Sequence, residues 1–214
     1  SARPTFLFSL RQFAKIVEPR ADEGIAATQM VVEMTSLQGI MGREYALRSG
    51  ESETVAQAIG EQYQMAPKGK LGLTVALADR LDSLAGLFAA GLIPTGAKDP
   101  FGLRRAALGV VQPLIEHGID FDLRVAIRAA GAFQPIAVSD EAHRQILDFI
   151  NGRLRVLLID EGYRYDVVDA VLAERGFDPY QAKKSVIELS EWVQKPDWPT
   201  TLQAYARCVR ITRD

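Results

Sequence analysis

The side chains best suited to chemistry fall in two short stretches. Asp79 and Asp82 lie three residues apart in a segment of helical periodicity, so both carboxylates project from one face. Such a pair can hold a divalent cation, or it can cap and pair with nearby Arg or Lys. The second stretch runs Ile93-Pro94-Thr95-Gly96-Ala97-Lys98-Asp99-Pro100-Phe101-Gly102-Leu103-Arg104-Arg105. Pro94-Thr95-Gly96 reads as a turn, because Pro fixes φ and Gly permits positive φ. Asp99 reads as an N-cap with Pro100 at the first helical position, where a missing N–H costs nothing. Lys98, Arg104 and Arg105 bring three cations to a helix start that already carries partial positive charge, a combination suited to phosphate. The same residues also fit a plain capped corner between two packed helices with solvated arginines. His117, followed by Gly118, fits a helix C-cap. Cys208 reads as a small, semi-buried apolar residue.

These residues depend on helices to position them. Leu77, Leu81, Leu84 and Phe88 recur at spacings of three and four within Leu73 to Leu92. A second helix leaves Pro100 with Leu103, Ala107, Val110, Val111 and Leu114 on one face. Earlier, Phe6 to Val17 carries a helical stripe, Asp22 or Thr28 starts a segment through Leu37, and Ser52 or Thr54 caps a helix through Tyr63. Phe121 to Ala130 is amphipathic, and 131–139 breaks the pattern. Beyond it, Ser139 opens a long helix to Gly162, Asp166 to Glu174 forms a shorter one, and Asp178-Pro179 opens the next. Thr200 or Thr201 caps the last, Leu202 to Ile211. Strand signals are weak throughout. The expectation is an all-α protein with two helical lobes meeting near Ala130 to Ser139.

Composition sets outer limits. The chain has 214 residues, with 25 Lys and Arg against 27 Asp and Glu, a formal net charge of -2. That balance excludes a generic, strongly basic nucleic-acid binder but leaves room for a local basic patch. One cysteine excludes an internal disulfide and a cysteine-rich zinc site. No apolar run reaches the ~20 residues needed to span a bilayer, and no signal-peptide pattern opens the chain. A reducing, cytoplasmic setting fits. The abrupt start and the uncapped close at Arg213-Asp214 read as a fragment of a longer polypeptide.

Several words of the sequence resemble one family. Ser36-Leu37-Gln38-Gly39-Ile40-Met41-Gly42-Arg43-Glu44-Tyr45-Ala46, Ala76-Leu77-Ala78-Asp79-Arg80-Leu81-Asp82-Ser83-Leu84, Pro94-Thr95-Gly96-Ala97-Lys98-Asp99-Pro100-Phe101 and Leu103-Arg104-Arg105-Ala106-Ala107-Leu108-Gly109 resemble the β subunit of bacterial-type glycyl-tRNA synthetase. The likeness covers nearly the whole chain from about Thr28, and the first ~25 residues are less clear. It implies an HD-like helical domain over residues 1–130. It further implies the N-terminal part of an α-helical anticodon-binding domain over 131–214. The parent enzyme joins glycine to tRNA(Gly) with ATP and Mg, chemistry that belongs to its α subunit or α region, so no cofactor is expected in this fragment and no catalytic residue is assigned. The expected partners are tRNA(Gly) and that α subunit or region. The family has a Glu-His-Tyr word where this chain has Glu61-Gln62-Tyr63, followed by a shorter basic loop, Ala66 to Lys70.

Three functions compete. The first is tRNA positioning, with Lys98, Arg104 and Arg105 contacting phosphates and Arg153 and Arg155 as weaker candidates. The second is a metal-dependent HD phosphohydrolase, since Ala78-Asp79-Arg80-Leu81 resembles the last metal-ligand segment of that group. It requires several His and a His-Asp pair. His117 and His143 are the only histidines and neither precedes Asp, so no metal is expected at Asp79 and Asp82. The third is a helical protein-interaction scaffold.

Overall fold

The computed structural model of the protein describes residues 34–212. The stripe expected over Phe6 to Val17 and the helix start at Asp22 or Thr28 lie outside the described residues. A short 3₁₀ turn, Thr35–Leu37, leads into nine α-helices among the described residues: α1 (Ile40–Arg48), α2 (Glu53–Glu61), α3 (Lys70–Ala89), α4 (Leu103–Glu116), α5 (Leu123–Gly131), α6 (Asp140–Asp160), α7 (Tyr165–Arg175), α8 (Pro179–Val193) and α9 (Trp198–Thr212). No strand forms among these residues; the nearest thing is a single antiparallel bridge between Thr95 and Lys98. The fold is all-α, as the periodicity requires.

The helix starts follow the caps written in the chain. Ser52 accepts from Val55 N at 3.4 Å, Ser139 from Ala142 N at 3.1 Å, and Asp178 from Gln181 N at 3.1 Å with Pro179 in the first turn. Three local expectations are corrected. Helix α4 begins at Leu103 rather than Pro100, because Pro100, Phe101 and Gly102 form a turn in which Gly102 takes φ 66°. Helix α9 begins at Trp198, so the Thr201 hydroxyl lies inside it and donates to Asp197 O at 3.1 Å instead of capping. Cys208 is exposed, because α9 buries none of its residues.

One apolar core joins α3 through α8. Leu77, Leu81 and Leu84 of α3 meet Val110, Val111 and Leu114 of α4, Ile127 of α5, Ile146, Ile150 and Leu154 of α6, Val168 of α7 and Val186 of α8. Phe88 and Phe149 meet edge-on at 5.4 Å, locking α3 to α6. The core continues across the 130/131 position, which falls at the end of α5. The hairpin of α1 and α2 docks on α3 through small residues, Ala56, Ala58 and Ala76, all buried. The buried Glu61 carboxylate ties the following loop down. It accepts from Gly69 N at 2.9 Å and from Gln57 Nε2 at 2.8 Å.

A polar knot fixes α3 against α4. Pro113 lies inside α4 and has no N–H to donate to Gly109 O, one turn earlier. Arg80 of α3 supplies the missing donor: its Nη1 donates to Gly109 O at 2.6 Å. Gly109 leaves room for it, since a Cβ there would stand 2.7 Å from the Arg80 guanidinium carbon. The same guanidinium also donates to Met65 O and Gln64 O, holding the α2–α3 loop.

Candidate functional site

The cationic corner is built by backbone geometry between α3 and α4. Thr95 and Lys98 exchange backbone hydrogen bonds (Lys98 N to Thr95 O 2.9 Å, the reverse 3.2 Å), with Gly96 between them at φ 53°. The Asp99 carboxylate then reaches over the Pro100–Gly102 turn and accepts from Leu103 N at 2.8 Å and Arg104 N at 2.9 Å. Asp99 is thus the cap of α4 despite the later helix start. The Arg104 Nη2 donates back to Gly96 O, which fixes that side chain over the corner. Lys98 is exposed on the bridge.

Arg104, Arg105 and Leu108 of α4 face Arg153, Val156, Leu157 and Asp160 of α6 across an open groove of about 270 Å³. The spacing on α6 (153, 156, 157, 160) is that of one helix face. Three of the five expected cations therefore converge. Arg153 contributes most unusually: its Nε is buried and has no hydrogen-bond partner among the described residues. Arg155, two positions along, points to the other side of α6 and is neutralised by Asp169 of α7, with Nε to Oδ1 at 2.5 Å and Nη2 to Oδ2 at 3.0 Å. Lys98 does not line the groove. Leu108, Val156, Leu157 and Asp160 were not singled out from the sequence, although the 153/156/157/160 spacing carried the signal.

Asp79 and Asp82 share a face of α3 but have separate surroundings. Asp82 Oδ1 accepts from Gln134 Nε2 at 2.6 Å, a contact from the turn after α5. Asp79 keeps a solvent-facing edge, while burial on its other side pushes its carboxyl up; Arg80 pulls it down less strongly, and Asp82 adds to the rise. Burial also raises the nearby Tyr63 hydroxyl, helped by the Asp79 charge and opposed by a hydrogen bond with Gln38. His117 Nε2 sits 2.8 Å from Pro67 O, and His143 lies against α6's own first turn, Nδ1 3.8 Å from Asp140. Among the described residues no three His, Cys, Asp or Glu side chains come together as metal ligands would. A second hollow of about 420 Å³, lined by Ile40, Arg43, Gln57, Gly60, Glu61 and Gln64, has its carboxylate already occupied by Gly69 and Gln57.

Comparison with known proteins shows the family of the chain. The family model described as the glycyl-tRNA synthetase beta subunit matches residues 25–173, more than half of the chain. A relative named glycine–tRNA ligase, chloroplastic/mitochondrial 2, from Arabidopsis thaliana is 40% identical over 193 residues, covering 87% of this chain and 18% of that protein. The glycine–tRNA ligase beta subunit of Aromatoleum aromaticum is 51% identical over 154 residues, 68% of this chain and 22% of that protein. The beta subunit of Bacillus subtilis is 37% identical over 194 residues, 87% of this chain and 27% of that protein. The chain thus spans under a third of the length of these relatives. No helix among the described residues is long and apolar enough to cross a membrane. The chain belongs to the glycyl-tRNA synthetase beta subunit family.

Proposed function

We propose that this chain is a tRNA-positioning segment of a glycine–tRNA ligase, acting beside an α subunit or α region that carries out the ATP- and Mg-dependent charging of tRNA(Gly). The observation that carries this reading is the convergence of Arg104, Arg105 and Arg153 on one groove of a chain whose net charge is -2. Guanidiniums in such a groove bind phosphate oxygens in forked geometry and fix the register of the RNA without reading its sequence. Lys98, exposed on the neighbouring bridge, adds a cation beside the groove; in this reading the surface serves the acceptor region of the tRNA rather than the anticodon. A metal-dependent phosphohydrolase fits less well, because Asp82 is engaged by Gln134, His117 contacts Pro67 O, and no three His, Cys, Asp or Glu side chains gather among the described residues.

The test uses the full-length synthetase with its α partner. Replacing both Arg104 and Arg105 by Ala removes two phosphate contacts. It should weaken tRNA binding and lower the slope of log affinity against log salt by roughly 1.4 to 1.8 units, at ~0.7 to ~0.9 per contact. Preference among tRNA sequences should not change. An unaltered salt slope in a variant with unchanged circular dichroism would reduce the corner to a structural cap.

A further inference from the structure

Asp160 is the groove residue that a phosphate site does not need. It is the last residue of α6, where the helix end already carries partial negative charge, so local electrostatics disfavour a carboxylate there. Its neighbour Glu161 is held by Lys183 at 2.8 Å. The Asp160 side chain has no ion pair or hydrogen bond among the described residues, although three arginines line the same groove. Between these charges lies an aliphatic floor of Leu108, Val156 and Leu157, with Val156 42% exposed.

A single ribonucleotide carries the complementary groups. Its phosphate accepts from guanidinium N–H groups, its 2′-hydroxyl donates to a carboxylate, and its sugar or base face covers aliphatic side chains. The groove, at about 270 Å³, falls just below the roughly 300–1,000 Å³ range of ligand pockets, which suits one nucleotide unit partly held in an open site rather than a stacked helix. Arg153 adds a second argument: its guanidinium lines the groove with no ion pair or hydrogen bond among the described residues, so a phosphate there meets a charge that nothing else compensates.

We propose that the groove between α4 and α6 receives one unstacked ribonucleotide of the tRNA, its phosphate on Arg153, Arg104 and Arg105 and its 2′-hydroxyl on Asp160. The proposal rests on the tRNA reading above and adds to it discrimination of RNA from DNA by one named carboxylate.

The experiment measures binding of the full-length synthetase, with its α partner, to tRNA(Gly) transcripts carrying single 2′-deoxy substitutions along the strand. The parent enzyme should lose about tenfold in affinity at one nucleotide, as expected for a hydrogen bond to a charged group. Asp160→Ala should lose about tenfold for the all-ribose tRNA and show no further penalty at that nucleotide. Asp160→Asn, which keeps an acceptor oxygen, should fall between the two. Asp160 is exposed, and circular dichroism checks that its variants fold. If Asp160→Ala leaves every 2′-deoxy penalty in place while the Arg104 and Arg105 replacements still lower the salt slope, the ribonucleotide site is wrong and the tRNA reading stands. Tighter binding of every transcript by Asp160→Ala would likewise overturn it, marking the carboxylate as merely repulsive. If neither set of variants alters tRNA binding but the α partner dissociates, both readings fall and the groove is a protein interface.

Discussion

At the scale of single residues, the groove and the knot beneath it are linked through charge. Arg80 is half-buried against Gly109, and this burial lowers its tendency to hold a proton; Asp79 opposes that shift and the Arg105 cation adds to it. Arg80→Met should therefore cost about 2–3 kcal/mol in urea denaturation, since three carbonyls lose a charged donor. Arg80→Lys should recover little, because a compact ammonium cannot serve the same fork. In a Pro113→Ala background the helix regains its own donor to Gly109 O, so the cost of Arg80→Met should shrink by about 1 kcal/mol, a coupling that a double-mutant cycle reads directly. Asp79 gives a pH signature. Its raised carboxyl keeps a proton in the folded state that the unfolded chain has already released, so stability falls as pH rises between the ordinary aspartate value and the raised one. Asp122 has the opposite sign: hydrogen bonding from Arg124 holds its carboxyl low, and its contribution is lost as pH falls. Asp79→Asn should raise Tm at pH 7, the gain vanishing below the ordinary aspartate range. At this scale much of the candidate site was legible. Residues 153 and 155 sit about 200° apart on a helix, so only one could join the groove. Arg80 was not legible, because its partners come from a loop and from a helix 29 positions away.

At the scale of elements, the caps carry both stability and site geometry. Asp99 satisfies two orphan amides of α4 and thereby sets the direction in which Arg104 leaves the backbone. Asp99→Ala should lower stability by about 0.5–2 kcal/mol. It should also weaken tRNA binding in the full-length enzyme, whereas Ser52→Ala, which removes a cap far along the chain, should affect stability alone. Thermal melts beside binding curves separate the two effects. The cap itself was readable in the sequence, since Asp before Pro is a strong start signal. The delay to Leu103 was not, because it depends on Gly102 entering the left-handed region, which Gly permits but does not dictate. The helices of the core were legible from period alone, as in Leu77, Leu81 and Leu84, because each buries one continuous face.

At the scale of the whole molecule, stability is unevenly distributed. Helices α3 to α8 share one core, so the turn at 131–139 that sequence punctuation marks as a boundary is bridged by packing that only the tertiary structure reveals. Helix α9 is outside this arrangement: none of its residues is buried, and Leu202, Tyr205 and Ile211 are 48%, 67% and 80% exposed. A helix of 15 residues with so little tertiary support is marginal, because most helical stability in proteins comes from a packed apolar face. Its amides should therefore exchange with solvent by local fraying, while those of α6 open only with the core. Ending the chain at Lys195 should lower the unfolding free energy by less than about 1 kcal/mol, the scale of changes away from packed features. It should also leave the denaturant midpoint of α3 to α8 nearly unchanged. Hydrogen exchange on the 214-residue chain, with urea melts of both lengths, checks this. A loss of several kcal/mol, or protection in α9 equal to that in α6, would mean that the helix folds with the core and that its exposed apolar face contributes to it.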